Sequence, residues 1–155
     1  MSDLFKRIVC TLLLVLVSFG FSLNASATNR FQWIMSTDYV TISYDTRSVK
    51  YYSAHGKVVD VWTSWNYTED GASKYVEGGR TTGLFQEAKW DNFSYSLNHM
   101  LISKNSYLLL DVIFYDVNSN VIFSLPFNKD TKWTGFVPCS LNEKIRDKFK
   151  GFLDS

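Results

Sequence analysis

Apolar and polar residues alternate in several short runs after residue 30, which is the pattern of β-strands with one buried face. In the clearest run, Val40, Ile42 and Tyr44 alternate with threonine and serine. The runs are also rich in β-branched and aromatic residues, which favour strands. The pattern predicts six strands, at residues 31–35, 39–44, 57–67, 95–102, 107–115 and 121–127.

The fifth predicted strand is the most apolar of the six. Its alternate positions predict one continuous apolar face, made by Leu108, Leu110, Val112 and Phe114. The opposite face carries a single charge, Asp111, which predicts a central strand that is largely covered on both sides. Residues 116–120 are typical of a hairpin loop, and Pro126 predicts that the sixth strand ends at an edge of the sheet.

Residues 71–92 show the least regular pattern. Four glycines (Gly71, Gly78, Gly79 and Gly83) interrupt this stretch, and glycine disfavours the interior of any long element. The stretch is therefore interpreted as a long connection, with at most a short helix or strand near residues 73–77.

The last segment predicts a helix with a defined start. Ser140 and Glu143 are spaced as a capping box, in which Glu143 reaches back to the backbone of Ser140. A helical stripe follows, made by Leu141, Ile145, Phe149 and Phe152. The whole pattern predicts an α+β fold, an antiparallel sheet of about six strands with one C-terminal α-helix packed on it. A closed barrel or a sandwich is the alternative.

The first 27 residues have the pattern of a secretory signal peptide. Lys6 and Arg7 precede an apolar run at residues 8–21, and Ala25-Ser26-Ala27 supplies the small residues of a cleavage site. The alternative is a transmembrane anchor, but the run is shorter than about 20 residues and is interrupted by polar and glycine residues. Cleavage would leave one domain at residues 28–155 with no membrane span, exported to the periplasm, the cell surface or the medium.

Composition narrows the classes of protein further. The chain of 155 residues has a net charge of +1, which argues against electrostatic binding to nucleic acid. Hydrophobic residues make up 46% of it, too many for a disordered chain. Removal of the signal peptide leaves Cys139 as the only cysteine, so that an internal disulfide is impossible. A single unpaired cysteine in an exported protein is a buried thiol, forms an intermolecular disulfide or serves as a reactive group.

The sequence contains no pattern that predicts catalysis, a metal site or a cofactor. A nucleophile elbow, a phosphate-binding loop and zinc-ligand spacings are all missing from it. His55 and His99 are the only imidazole groups, and neither lies in a catalytic motif. A hydrolase that uses His99 and Ser96 is a remote alternative.

Five tryptophans are the remaining chemical feature: Trp33, Trp62, Trp65, Trp90 and Trp133. In a domain of this size most of them are expected in the core. Trp65 and Trp90 are the candidates for a partner-binding surface, because they lie at the edges of the irregular stretch.

An ordered set of short motifs covers residues 31–153. They are Trp33; Tyr44-Asp45 followed by Ser48-Val49; the strand Val59-Asp60-Val61-Trp62; Tyr115-Asp116 with Asn118 and Val121-Ile122; and Trp133 with Val137-Pro138 leading into Ser140. In this order and spacing they resemble the surface-adhesin protein E-like family of exported bacterial proteins. Two departures stand out, since Ser119 and Cys139 occupy positions where the family usually has glycine.

The resemblance implies a surface or secreted domain with a sheet-plus-helix fold and no enzymatic activity. The adhesin for which the family is named binds extracellular-matrix and plasma proteins of a host. The shared residues are implied to be structural: Trp33, Asp45, Ser48, Trp62, Tyr115, Asp116, Trp133, Pro138 and Ser140.

Two functional hypotheses follow. The first is an exported non-enzymatic binding domain, adhesin-like, that contacts a protein or cell-surface ligand through a sheet edge or through residues 71–92. The second is a periplasmic envelope protein that binds a small apolar ligand in a cleft between helix and sheet, lined by Phe149 and Leu110. An exposed aromatic patch would favour the first and an apolar cavity the second. The identity of the partner and the oligomeric state are open.

Overall fold

The fold is built on one antiparallel sheet of eight strands. The computed structural model describes residues 30–54 and 56–155. The strands are β1 (Phe31–Ser36), β2 (Val40–Asp45), β3 (Lys50–Tyr52), β4 (Val58–Tyr67), β5 (Phe93–Ser103), β6 (Ser106–Asp116), β7 (Val121–Leu125) and β8 (Thr134–Gly135). The helices are α1 (Glu69–Thr81), a 3₁₀ helix (Ala88–Asn92), α2 (Leu141–Lys148) and α3 (Lys150–Leu153).

The strand order is β1-β2-β4-β5-β6-β7. The two shortest strands pair with parts of longer strands that other neighbours leave free. β3 pairs with the start of β4, and β2 pairs with the rest of it. β8 pairs with the start of β6, and β7 pairs with the later part. The predicted α+β class and antiparallel sheet are confirmed. The predicted number of six strands is wrong, because strands of three and two residues are too short to show an alternating pattern. The described strands form one sheet rather than a sandwich.

Two helical segments pack against the same face of the sheet: α1, and the C-terminal segment that consists of α2 and α3. Side chains from β4, β5 and β6 that point to this face form two apolar clusters with them. The C-terminal cluster contains Val40, Ile42, Val59, Val61, Met100, Ile102, Ile145, Phe149 and Leu153. The α1 cluster contains Ala72, Val76, Trp90, Phe93, Val112 and Phe114. Tyr67 and Leu109 contact both clusters and join them.

The opposite face of β4, β5 and β6 contributes no residue to either cluster. We call it the open face. Its side chains alternate with those of the clusters and include Asp60 and Trp62 on β4, Leu97 and His99 on β5, and Asp111 on β6. The alternation of the sequence therefore separates an apolar, helix-covered face from a mixed polar and aromatic face.

A bulge in β6 changes the face that the sequence predicted. His99 pairs with Asp111 and Met100 pairs with Leu109, so that Leu110 has no partner on β5. Leu109 therefore joins the clusters, whereas Leu108 points to the open face. The predicted continuous face from Leu108 to Phe114 is wrong, because one extra residue inverts the alternation.

The stretch predicted as a long connection contains a helix of 13 residues, α1. Thr68 begins it, since its hydroxyl accepts a hydrogen bond of 3.1 Å from the backbone N–H of Gly71. Gly71 and Gly79 lie where the helix touches other parts of the chain. A Cβ on Gly71 would lie 2.1 Å from the carbonyl oxygen of Tyr39, and one on Gly79 would lie 2.0 Å from the Phe85 ring. These glycines permit close approach and do not break the helix.

The C-terminal helical segment is divided at Phe149. Ile145, Phe149 and Leu153 form its buried stripe, so Leu153 takes the fully buried place that the pattern gave to Phe152. The hydroxyl of Ser140 accepts from the backbone N–H of Glu143 at 3.2 Å, as the capping box predicts. The return bond differs, since Glu143 accepts from the N–H of Cys139 at 2.7 Å and not from Ser140.

Three described loop residues other than glycine adopt left-handed backbone conformations that favour glycine, and Phe85, with a φ of 57°, is the first of them. Ser119, in the β6–β7 hairpin, and Cys139, before α2, both have a φ of 64°. Ser119 and Cys139 are the two positions named above as departures from the glycines of the surface-adhesin protein E-like family.

Residues 32–155 form one compact unit. The predicted signal peptide and its cleavage site lie outside the described residues. Among the residues that the structure describes, no helix has the length and apolar character needed to cross a membrane.

Substitution of the α1 glycines tests whether close approach or helix propensity governs them. Gly78→Ala should raise the free energy of unfolding by about 0.5–1 kcal/mol, because a Cβ there meets nothing within 4 Å. Gly71→Ala should lower it by about 1–3 kcal/mol, because the methyl group would overlap the backbone of Tyr39. Urea unfolding of both variants gives the measurement, and equal effects would contradict the assigned packing.

Replacement of Ser119 tests the left-handed turn. Ser119→Gly should raise the free energy of unfolding by about 0.5–1 kcal/mol, because glycine adopts a φ of 64° without strain. Ser124→Gly, in β7, is the matched control and should lower it by about 0.5–1 kcal/mol. Destabilisation by Ser119→Gly in the same assay would show that the turn has another conformation.

Candidate functional site

Three neighbouring strands bring a histidine between two aspartates on the open face. Asp60 lies on β4, His99 on β5 and Asp111 on β6. Nε2 of His99 lies 2.7 Å from Oδ1 of Asp60, and Nδ1 lies 3.0 Å from Oδ2 of Asp111. Asp60 is buried and His99 is half-buried. We call this group the Asp–His–Asp cluster.

The two hydrogen bonds of the cluster require two protons between the three side chains. A neutral imidazole with two carboxylates supplies only one. A neutral imidazole has one N–H group, whereas the two bonds of His99 need two donors. Either the imidazolium donates to both carboxylates, or one carboxyl group donates to the ring. In both cases the bonds tie β4, β5 and β6 together on a face that neither apolar cluster stabilises.

Neighbouring groups hold the cluster in place. The ring of Trp62 stacks on that of His99, with centroids 4.6 Å apart and an interplanar angle of 10°. The second oxygen of Asp111 accepts a bond of 3.1 Å from the backbone N–H of Phe127, which anchors the chain after β7.

These contacts argue against a catalytic role for His99. Both ring nitrogens are engaged by aspartates, so neither is free to accept a proton from a nucleophile. Ser96 lies on the opposite, helix-covered face, where it is buried and accepts from the amide of Asn98 at 3.1 Å. The alternative of a hydrolase built on His99 and Ser96 therefore lacks the required geometry. His55 lies outside the described residues.

The cluster also lacks a point at which a metal could bind all three groups. Its aspartates contact opposite edges of the imidazole ring, so the three ligands do not converge. In the described part of the chain, no group of three or more histidine, cysteine, aspartate or glutamate side chains has metal-site geometry.

A cleft of about 570 Å³ lies between α1, the 3₁₀ helix and the start of β5. Its apolar wall is formed by Tyr67, Ala72, Val76, Trp90 and Phe93, and Val117 of the hairpin adds to it. Its polar rim consists of Thr68, Glu69, Ser73, Arg80, Asp91, Asn92 and Ser94. We call it the α1 cleft. A concave site of this size with an apolar wall and a few polar groups suits a small ligand.

Burial changes the acidity of two phenols beside the α1 cleft. It raises the pKa of Tyr67 well above the usual value for a phenol, and the neighbouring Tyr75 adds to the effect. Burial likewise raises the pKa of Tyr75. Both side chains therefore stay neutral at any physiological pH.

The edge of the sheet at β7 is apolar and exposed. Among the described residues, β7 pairs only with β6. Val121 is 58% exposed and Leu125 is 52% exposed, and Phe123 is exposed as well. Residues 121–127 carry no charge. Exposed edge strands usually carry charges that prevent pairing with other chains, and this strand has only a bulge and the following Pro126.

The tryptophans that are exposed are not the two that the sequence analysis placed on the surface. Trp90 is only 4% exposed, so its expected place on the surface is wrong: the long α1 helix covers it within the α1 cluster. Trp65 is half-buried and packs on the C-terminal cluster. The exposed tryptophans are Trp33 on β1, at 60%, and Trp133, at 45%. Trp133 lines a second cavity of about 500 Å³ with residues of the β5–β6 turn.

The expected cleft at Phe149 and Leu110 does not match the packing. Phe149 is buried in the C-terminal cluster, and Leu110 lies at the β6 bulge. Neither residue lines the α1 cleft, which uses α1 instead of the C-terminal helices.

Several residues of the motifs quoted from the sequence act in turns and caps. The hydroxyl of Ser48 donates to the carbonyl of Asp45 at 2.8 Å and accepts from the N–H of Trp62 at 2.9 Å. Asp116 accepts from the backbone N–H groups of Asn118 and Asn120 in the hairpin.

Other motif residues have different surroundings. The side-chain amide of Asn120 also donates to Asp116 and, with those backbone bonds, holds the pKa of that carboxyl below its usual value. Tyr115 stacks on Tyr95 with centroids 4.6 Å apart. Pro138 and Ser140 lead into α2, where Cys139 between them is an exposed free thiol. Of the alternatives for this cysteine, the structure excludes the buried thiol.

Comparison of the chain with models of protein families, with curated proteins and with solved structures gave no match.

Removal of the imidazole tests the Asp–His–Asp cluster. His99→Ala should lower the free energy of unfolding by about 2–3 kcal/mol, because buried Asp60 then loses its hydrogen-bond partner. The control Lys104→Ala breaks an exposed ion pair of 3.2 Å with Asp154 and should change it by less than about 1 kcal/mol. Asp60→Asn and Asp111→Asn added to His99→Ala should restore part of the loss in thermal unfolding. No recovery would contradict the interpretation.

Proposed function

We propose that the chain is an exported, non-enzymatic bacterial binding domain of the surface or secreted type, with adhesin-like recognition of a protein partner. The observation that carries this proposal is the uncharged, apolar and exposed edge strand β7. The pattern of the signal peptide at residues 1–27 supports export.

The chemistry of the edge indicates the kind of partner. A strand at the end of a sheet offers backbone donors and acceptors along one side, and another extended chain satisfies them. Val121 and Leu125 offer apolar contacts beside that backbone. The partner is therefore an extended polypeptide with apolar side chains, which adds to the sheet next to β7. A charged ligand such as nucleic acid finds no complementary charge on residues 121–127.

The opposite end of the sheet is a weaker candidate. β1 is also exposed and carries Trp33, but Arg30 is the single described residue that precedes it. β7 is flanked on both sides by described residues and belongs to an ordered hairpin, in which Asp116 accepts three hydrogen bonds from Asn118 and Asn120.

The polar chemistry of the open face supports a non-enzymatic role. The one imidazole among the described residues uses both nitrogens to hold strands together. The backbone conformations of Ser119 and Cys139 support the resemblance to the surface-adhesin protein E-like family, since both residues adopt the φ that glycine favours.

A second candidate function is a periplasmic envelope protein that binds a small ligand with an apolar part. The α1 cleft favours this candidate, because Tyr67, Trp90 and Phe93 line it beside a polar rim. This second candidate function predicts that a small neutral aromatic compound binds at the α1 cleft.

Charged substitutions on β7 test the protein-binding function. The double variant Val121→Lys, Leu125→Lys should lose at least about ten-fold in binding to immobilised extracellular-matrix and plasma proteins, because edge lysines oppose strand addition. Val137→Lys is the matched control, since this valine is 67% exposed and lies outside β7. Surface plasmon resonance gives the measurement, with circular dichroism to check the fold. Equal binding by the double variant and the control would overturn the proposed use of β7.

The cellular location is tested separately, by protease treatment of intact cells and N-terminal sequencing of the mature protein. Loss of the domain, with a start at Thr28, would support a cleaved protein outside the cell. Protection until the outer barrier is opened would contradict the adhesin-like role and favour the second candidate.

A further inference from the structure

We infer that the α1 cleft binds a small organic cation with an apolar body, whose positive group lies at Glu69. This inference rests on the second candidate function, that the cleft takes a small ligand. It adds the charge class of that ligand and the residue that selects it.

The cleft follows one stripe of α1. The cleft-lining residues of the helix share one side of it, because each lies three or four positions from another of the set: Glu69, Ala72, Ser73, Val76 and Arg80. Glu69 and Arg80 lie about 16 Å apart along the helix axis at a rise of about 1.5 Å per residue. The stripe therefore has a carboxylate at its first turn, small and apolar residues in its middle and a guanidinium at its last turn.

The positive end of the stripe is already neutralised. The guanidinium of Arg80 lies 2.5 Å from Oδ1 of Asp91, and its Nε donates to the carbonyl oxygen of Phe85 at 3.1 Å. Because both charged groups of this pair line the cleft, they add no net charge to it.

The carboxylate of Glu69 has no ion pair or hydrogen bond among the described residues. Its neighbour Asp70 differs, since Lys74 binds it at 2.8 Å. Asp70 does not line the cleft. The charged groups that line the cleft are Glu69, Arg80 and Asp91, so its net charge is negative and located at Glu69.

The apolar wall is compatible with a cation beside it. Aromatic rings attract positive groups. Tyr67, Trp90 and Phe93 all line the cleft, where Tyr67 is half-buried and the other two rings are 4% exposed. Burial raises the pKa of Tyr67, so the phenol contributes as a neutral ring and not as a second anion. The volume of about 570 Å³ lies within the usual range for small-molecule sites.

Two probes of the same size separate the charge of the ligand from its apolar body. They are 2-phenylethylamine, which is a cation at neutral pH, and 2-phenylethanol, which is neutral. Titration of the full mature domain, followed by NMR shifts of the tryptophan indole N–H groups, measures both dissociation constants. The amine should bind about two- to five-fold more tightly than the alcohol, the range expected of one exposed ion pair.

Substitutions at adjacent acidic residues assign this preference to one side chain. Glu69→Gln should remove the preference for the amine and leave the affinity for the alcohol unchanged. Asp70→Asn is the matched control, because it removes the neighbouring charge outside the cleft, and it should keep the preference. Ser73→Phe, at an exposed position of the rim, should block both probes without touching the buried core.

The outcomes distinguish the inference from the function on which it rests. Equal affinity of the two probes, or a preference that survives Glu69→Gln, overturns the inference but leaves a small-ligand site. Absence of binding by either probe, or binding that Ser73→Phe does not affect, overturns both. Loss of the preference in Glu69→Gln alone, with thermal stability unchanged in all variants, supports the inference.

Discussion

One-sided packing of the sheet is the constraint on which the other features depend. In β4, β5 and β6, the buried apolar clusters lie on one face only, and both helical segments pack on that face. Val61 and Met100 therefore meet Ile145 in the core, while Trp62 and His99 point the other way. The bulge at Leu110 preserves this division on β6, because it places Leu109 with the clusters and Asp111 beside His99.

The position of α1 on this face produces both candidate binding sites. The helix can lie close to the chain because Gly71 and Gly79 have no side chains at its contacts with Tyr39 and Phe85. It buries Trp90 in the α1 cluster, and the space left beside one side of the helix is the α1 cleft. The helix contacts β4 and β5 but leaves β7 exposed, so the apolar face continues to an uncovered edge of the sheet.

The open face is stabilised in a different way. Without a helix-packed apolar cluster, its strands are linked by stacked rings and by the hydrogen bonds of the Asp–His–Asp cluster. These bonds occupy every nitrogen of the imidazole. The imidazole of His99 thus links strands of the sheet, and the candidate binding sites proposed above lie elsewhere, at β7 and at the α1 cleft.

The sequence alone determined the features that depend on neighbouring residues. Alternation predicted the six longer strands, the polar loop after Tyr115 predicted the hairpin, and the spacing of Ser140 and Glu143 predicted the start of α2. Such features are local, because the residues involved lie within a few positions of each other. Even so, the return bond of Glu143 goes to Cys139, since the left-handed turn there brings that N–H within reach.

Only the tertiary structure decided the features that join distant parts of the chain. Gly71 looked like a helix breaker until its contact with Tyr39, far away in sequence, explained it. The burial of Trp90 depends on that same helix. His99 meets Asp60 across 39 positions, a pairing that strand register creates and that no local pattern encodes. The physical reason is the same in each case: a contact between remote residues depends on how elements pack, which local propensity does not specify.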